Sequence, residues 1–289
     1  MNKERRFMTF IQTVKSESVP ALFYDGGEID VLWDNHDKAI AWYVNFLGWE
    51  AKRKEAWWPD QRAVNGRMSH LGYGTWINSV FTTEKLPFHY AERNIDSNIR
   101  WCWRTRKLHN VHALFSENEI RVTDIYNGPN GKQYFDFWEP VEGTRLTAEE
   151  DDKLKNKIFK PSDIRIGVRD LRQASQWYME FMGMGIVEDH AEDGYLIMAL
   201  QEHMSSKAEM YWILEELPGN MFSGDRNEPV RPLMLVKNRD AFFTYHRFLK
   251  DNGVKCGEFG GHLEHQGRVL FHFYDLDGNR FNVCHCKPI

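Results

Sequence analysis

At 289 residues, 42% apolar and 27% charged, the chain is long enough for two ordinary domains and has the composition of a folded globular protein. A formal net charge of −5 gives no electrostatic support for wholesale binding to nucleic acid or an anionic membrane. No apolar run reaches the length of a membrane span, and the first residues carry charges without the apolar core of a secretory signal. The four cysteines, Cys102, Cys256, Cys284 and Cys286, suit reduced thiols better than a disulfide framework, so the expected compartment is the cytoplasm.

Residues 1–27 read as an N-terminal extension with one short helix. From residue 28 the pattern sharpens. Residues 28–33 (EIDVLW) predict a strand, and Asn35 is placed to cap a helix after it. Ala39, Trp42, Tyr43, Phe46 and Leu47 fall on one helical face, and Gly48 ends the helix. Strands are expected from there to about residue 81. Residues 98–103 predict another strand, and Leu108, Val111, Leu114 and Phe115 mark a second helix. Residues 120–125 and 134–138 read as strands around an Asn130-Gly131 turn. Thr147 to Glu150 form a capping-box pattern, which predicts a short charged linker helix within 144–161.

Residues 168–183 (VRDLRQASQWYMEFMG) repeat 33–48 (WDNHDKAIAWYVNFLG) at an offset of 135 residues. Ala39/Ala174, Trp42/Trp177, Tyr43/Tyr178, Phe46/Phe181 and Gly48/Gly183 coincide without a gap. A further strand at 233–236 precedes a helix bearing Phe242, Phe243, Tyr245, Phe248 and Leu249, stopped by Asn252-Gly253. The chain closes on 271–285 (FHFYDLDGNRFNVCH), a hairpin whose Asp277-Gly278-Asn279 turn supplies positive φ. Four strand–helix–strand units, two per half, make the fold class α+β.

The pattern V-x-D-L-x-x-A-x-x-[WF]-Y-x-x-x-x-G, here VRDLRQASQWYMEFMG, resembles the vicinal oxygen chelate superfamily. So does FYDLDGNRF near the end. That group includes glyoxalase I-like lyases, extradiol ring-cleaving dioxygenases and bleomycin-resistance-type binding proteins. The resemblance implies four βαβββ modules paired into two glyoxalase-like domains with cupped mixed sheets. The first domain is expected at 28–143 and the second at 162–289. Whether modules pair in chain order or crosswise is left open; crosswise pairing would put Glu28 opposite Asn282.

The resemblance also implies metal ligands at the start of each module's first strand and near the end of a late strand. Carried onto this chain, those positions are Glu28, Asn98 and Asp136 in the first half. In the second half they are Asp163, Arg231 and Asn282. The first set is all oxygen donors and suits one divalent metal ion (Mg, Mn, Fe, Ni or Zn), with no metal as the equal alternative. Its plainer reading is an exposed Glu28 and an Asp136 paired with a nearby base. The second set contains an arginine, which donates only and ligates no cation. Arg231 with Asn282, His272 and Asp163 therefore reads as a substrate-binding cluster for an anionic or oxygen-rich molecule. Its plainer alternative is an exposed strand start.

Trp101 and Trp103, on one face of a strand, offer a flat aromatic wall, as do Trp58 and Trp76, although core packing serves as well. His262 and His265 sit in a loop and read as solvated or as an acid–base pair at a cavity mouth. Cys284 and Cys286 share a strand face and read, with His272 on the neighbouring strand, as a soft-metal site or, more plainly, as small or buried side chains. No phosphate-binding loop, dinucleotide fingerprint or nucleophile-elbow motif is present. The expected partner is a small-molecule ligand, with no nucleic acid and no membrane, and a homodimer left open. If the protein is an enzyme, the expectation is a metal-dependent lyase, isomerase or ring-cleaving dioxygenase. Otherwise it is a metal-free binding or resistance protein.

Overall fold

The computed structural model describes residues 17–57, 66–80, 98–155, 159–200, 210–222, 229–262 and 267–287. Trp58, His265 and the His262 side chain lie outside the described residues. Four copies of one unit succeed each other. The first holds β1 (Phe23–Asp30), α1 (His36–Leu47), β2 (Ala51–Trp57), β3 (Gly66–Leu71) and β4 (Thr75–Val80). The second holds β5 (Ile99–Thr105), α2 (Leu108–Glu117), β6 (Tyr126–Asn127), β7 (Gln133–Trp138) and β8 (Arg145–Glu150). The third holds β9 (Lys160–Val168), α3 (Leu171–Met182), β10 (Met184–His190), β11 (Tyr195–Leu200) and β12 (Trp212–Glu216). The fourth holds β13 (Val230–Leu235), α4 (Arg239–Asp251), β14 (Gly260–His262), β15 (Arg268–Tyr274) and β16 (Arg280–Cys286).

The repeated helices form for the expected reasons. Gly48 and Gly183 end α1 and α3 in the left-handed region, at φ 69° and 63°. Asp170 caps α3 by accepting from the Gln173 amide at 2.9 Å. Asn35 does not cap α1: its side-chain amide instead donates to Glu142 at 2.7 Å.

Two sequence expectations about boundaries are corrected. β1 begins at Phe23, inside the segment read as an extension, with Val19 and Leu22 already buried ahead of it. Residues 145–150 are strand, not a linker helix. Leu146 and Ala148 enter the core while Thr147 and Glu149 face the other way, and the backbone pairs in parallel with β5. A capping box satisfies only two amides, whereas a ladder on both flanks satisfies the whole segment.

The four modules build two eight-stranded sheets, and they pair crosswise. One sheet, the terminal sheet, runs β14-β15-β16-β13-β1-β4-β3-β2 and joins the first module to the fourth. The other, the central sheet, runs β10-β11-β12-β9-β5-β8-β7-β6 and joins the second to the third. The expected division into 28–143 and 162–289 therefore does not separate the sheets. Each sheet is closed at its middle by an antiparallel seam between first strands, β1 with β13 and β5 with β9.

Sequence neighbours meet instead through their helices. Trp42 of α1 packs on Phe115 and Phe137 of the second module at 6.4 and 6.3 Å between ring centroids. Trp177 of α3 packs on Phe273 of the fourth at 6.1 Å. The final hairpin adds polar ties. Asp275 accepts from the amides of Asp277 and Asn279 at 2.9 and 2.8 Å and from the Tyr178 hydroxyl at 2.6 Å. Asn279 donates to the Gly167 carbonyl at 3.1 Å, and Asp277 accepts from the Arg169 amide at 3.2 Å. The turn is shaped by Gly278 at φ 81°.

Crosswise sheets make the two halves mutually dependent, because each half alone leaves two first strands without their antiparallel partners. Residues 1–155 and 156–289, expressed separately, are expected to lack cooperative unfolding and to regain it on mixing at equal concentration. Independent cooperative melting of either half, monitored by circular dichroism, contradicts this arrangement.

Candidate functional site

Strand alternation assigns every side chain near the terminal seam. Ile29, Ile77, Phe271, Phe273, Phe281 and Val283 enter the hydrophobic core. Their neighbours Glu28, Asp30, Trp76, Asn78, Arg268, His272, Arg280 and Asn282 therefore project to the concave face. In register, Glu28 stands opposite Arg231 on one side and Trp76 on the other, and His272 stands opposite Asn282. Glu28, Asp30, Arg231 and Asn282 are all buried.

These groups form one connected network. Glu28 accepts from Arg268 at 3.0 Å and from the Asn282 amide, and Arg231 lies 3.6 Å from its other oxygen. Arg231 also donates to Asp30, which accepts from Asn78 at 3.1 Å as well. Arg280 adds a third guanidinium. Burial, then repulsion from Arg231, lowers its pKa to about 10 against the pull of Asp30 and Glu28. It stays charged at neutral pH, so among the described residues Arg231, Arg268 and Arg280 share this face with Glu28, Asp30 and Asp25. Trp76 and His70 stack on the wall at 4.2 Å and 18°.

The concave face of the central sheet carries a different network. Asp136 accepts from Arg145, from the Thr147 hydroxyl at 2.6 Å and from the Tyr126 hydroxyl at 3.1 Å. Burial pushes its carboxyl up, but Arg100 and Arg145 hold it below the ordinary value. Arg100 and Arg165, directly opposite across the seam, are bridged by Glu215. Glu149 accepts from Lys132 and Ser162. Asp163 accepts from the Tyr211 amide at 3.0 Å; burial and the neighbouring Glu149 raise its pKa to about 6.

Set against the sequence expectations, the structure regroups the candidates. Glu28, Arg231, Asn282 and His272 share the terminal cup. Asp163 and Asp136 lie in the central sheet, so the set Glu28, Asn98, Asp136 does not converge on one metal ion. Asp136 sits on β7 rather than on the late strand: Leu233 pairs with Asn282 and Cys102 with Thr147, which makes Thr147 the counterpart of Asn282. The same register makes Arg100, not Asn98, the counterpart of Arg231. Asn98 is buried ahead of β5, with its carbonyl accepting from Gly167 at 2.8 Å. Trp101 and Trp103 belong to the core and line neither cup. Trp103 packs on Trp49 at 4.2 Å, and a Cβ on Gly27 would stand 2.8 Å from the Trp101 ring.

The family's divalent metal can be tested against the donors that do converge. Glu28 and Asp30 each already neutralise a guanidinium, and Arg231 occupies the middle of the set as a fixed cation. A second cation there meets direct repulsion from Arg231. No cluster of three His, Cys, Asp or Glu side chains occurs among the described residues. The terminal cup therefore does not fit a metal ion. Sequence reasoning missed Asp30, Arg268 and Arg280, although the alternation of β15 and β16 placed both arginines on the Asn282 face. A separate cleft of about 390 Å³ lies over the last hairpin, between Trp177, Phe181, Val254 and Tyr274. Its acidic lining, Asp275 and Asp277, already serves the turn.

Residues 160–283 match the family described as Glyoxalase/Bleomycin resistance protein/Dioxygenase superfamily. Among solved structures, glyoxalase I from Zea mays superposes with a TM-score of 0.63 at 12% identity, covering 92% of each chain. A candidate dioxygenase from Bacillus subtilis subsp. subtilis str. 168 superposes at 0.59 and 12% identity, covering 92% of this chain and 86% of its own. At that identity the likeness is one of fold. Among curated proteins no sequence matches the chain.

Removing Arg231 leaves two buried carboxylates short of their shared cation. Arg231→Met is expected to lower unfolding free energy by about 3–5 kcal/mol in urea titrations. Adding Asp30→Asn, which leaves Glu28 paired with Arg268, is expected to recover part of that loss; a single-mutant loss below about 1 kcal/mol contradicts the buried network. Asp163 titrates with the opposite sign from a salt-bridged acid. Its folded pKa of about 6 lies above the ordinary value of 3.8, so its ionisation weakens the fold as pH rises from 4 through 6. Asp163→Asn is expected to raise stability at pH 8 by on the order of 2 kcal/mol and to leave it unchanged at pH 4. A pH-independent effect refutes this.

Proposed function

Because residues 160–283 belong to the Glyoxalase/Bleomycin resistance protein/Dioxygenase superfamily and the whole chain has its glyoxalase-like fold, we propose that the terminal cup binds a small anionic, oxygen-bearing molecule without a resident metal. The observation that carries this is the convergence of three guanidinium groups and a stacked aromatic pair on one concave face. Arg231, Arg268 and Arg280 face Glu28 and Asp30 there, and the third guanidinium is held against burial and against Arg231. A carboxylate or phosphonate accepts the planar donor fork of an arginine and suits a face that gathers three of them. Asn282, with one amide hydrogen bond committed to Glu28, orients the network from below.

The stacked Trp76 and His70 supply a flat wall beside that charge, which favours a ligand with a planar face. The reading is closest to the binding or resistance branch of the superfamily. It replaces metal chelation of two vicinal oxygens by guanidinium recognition of an oxyanion. The central cup is a weaker candidate: its ion pairs Asp136–Arg145, Glu149–Lys132 and Arg165–Glu215 are mutually satisfied.

The test is calorimetry and thermal melting with benzoate, phosphonoacetate and inorganic phosphate, before and after dialysis against a chelator. At least one oxyanion is expected to bind and to raise the melting temperature, unchanged by chelation. Arg280→Gln is expected to weaken that binding by at least tenfold without loss of the fold. No stabilisation by any of the three at millimolar concentration sinks the proposal. Binding that appears only after Mn or Zn is added returns the site to metal-dependent chemistry.

A further inference from the structure

The network around Glu28 leaves one acceptor over. A carboxylate set between Arg268 and Arg231 takes only donors, so the end of the Asn282 side chain that meets Glu28 is its amide nitrogen. The carbonyl oxygen Oδ1 therefore points away from Glu28. Asn282 is 1% exposed, and its Oδ1 is buried with no donor among the described residues. Neither flanking strand supplies one. On β13 the residue in register is Leu233, whose side chain is apolar. On β15 it is His272, whose ring lies against the Gly257 backbone: a Cβ on Gly257 would overlap the imidazole, and the Gly257 amide donates to the His272 carbonyl at 2.8 Å. On the same concave face Trp76 Nε1, Arg231 Nε and Arg268 Nε are buried donors without an acceptor among the described residues.

Buried polar atoms are almost always paired, so orphans of both kinds on one face match a molecule that brings both complements. An oxyanion satisfies the N–H groups, and only an O–H or N–H satisfies Oδ1. That donor is uncharged, because an ammonium would stand among Arg231, Arg268 and Arg280. We propose that the terminal cup takes carboxylates or phosphonates that also carry a hydroxyl or amide N–H, and that Asn282 Oδ1 is the atom that selects them. The inference rests on the oxyanion-binding reading for one half of the ligand and adds the other half.

The selectivity comes from what a mismatched ligand leaves behind. A ligand without the donor, or with a methyl group in place of its hydrogen, shuts Oδ1 away from water with nothing to accept from. A site that strands a buried acceptor in this way separates the two ligands by about tenfold or more. Asn282 cannot answer by turning its nitrogen to the ligand, because that would aim Oδ1 at the Glu28 carboxylate and break the bond they share.

The experiment is calorimetry on the full chain near pH 7 with benzoate, its 2-, 3- and 4-hydroxy derivatives, their methyl ethers and the matching hydroxybenzamides. At least one hydroxybenzoate is expected to bind about tenfold tighter than both benzoate and its own methyl ether. Asn282→Leu is expected to bring that ratio to within about twofold of unity. Loss of the bond to Glu28 weakens every ligand of the variant alike, so the ratio within one protein isolates Oδ1. The comparison of ligands on the unaltered chain stands even where the variant does not fold. Equal binding of benzoate, the hydroxybenzoates and the ethers overturns this inference and leaves the oxyanion reading in place. A ratio that survives Asn282→Leu also overturns it, because another acceptor then makes the choice. A hydroxybenzamide that binds as tightly as its hydroxybenzoate sinks the oxyanion reading alone, and no binding by any of them sinks both.

Discussion

Arg231 is the residue on which the terminal sheet depends. It lies at the seam where the first and fourth modules meet, buried between Glu28 and Asp30 of the opposite strand. A buried guanidinium is tolerable only with full compensation, and the nearest compensating carboxylates belong to a segment some two hundred residues earlier. The charges thus fix which strands face each other and in which register: a one-residue slip would turn Glu28 and Asp30 into the core and Ile29 out of it. Arg268 and Asn282 extend the same network to β15 and β16, so four strands from two ends of the chain answer to one cluster.

The crosswise sheets and the sequential helices together lock the molecule. Modules adjacent in sequence share aromatic layers through α1 and α3, while modules distant in sequence share hydrogen-bond ladders. Neither set of contacts alone closes the structure. The last hairpin strengthens the link, because Asp275 and Asn279 spend their polar atoms on the turn, on Tyr178 and on Gly167 rather than on solvent. A motif that looks like a loop signature is therefore an inter-module clasp.

The two cups show how one architecture can keep its shape and change its chemistry. The positions that face a common centre on this fold come from first and last strands, and here they carry arginine, asparagine and threonine beside the acids. In the central cup the arginines and carboxylates pair off. In the terminal cup three guanidinium groups gather around Glu28 and Asp30 beside the stacked Trp76 and His70. Function on such a scaffold depends on these few side chains, not on the sheet that presents them.

Much of the fold is legible in the sequence. The 135-residue repeat, the glycine helix stops and the DGN turn report local requirements: a helical face, a left-handed terminus, a tight turn. These are short-range constraints, and the residues that meet them are neighbours in the chain. Strand alternation also carries the shared face of Asn282, Cys284 and Cys286. The site is legible only in pieces. Glu28, Arg231, Asn282 and His272 each stand out in the sequence, but their grouping with Asp30, Arg268 and Arg280 depends on which module pairs with which. Likewise Asp136 and Asp163 are separated from Glu28 and Arg231 by module pairing, and residues 145–150 become a strand because β5 and β7 flank them and satisfy their backbone on both sides. Sequence alone determined the four modules and the faces of their strands. Tertiary structure decided their partners, since the energy of a ladder seam or a buried ion pair depends on distance in space and leaves no periodic trace along the chain.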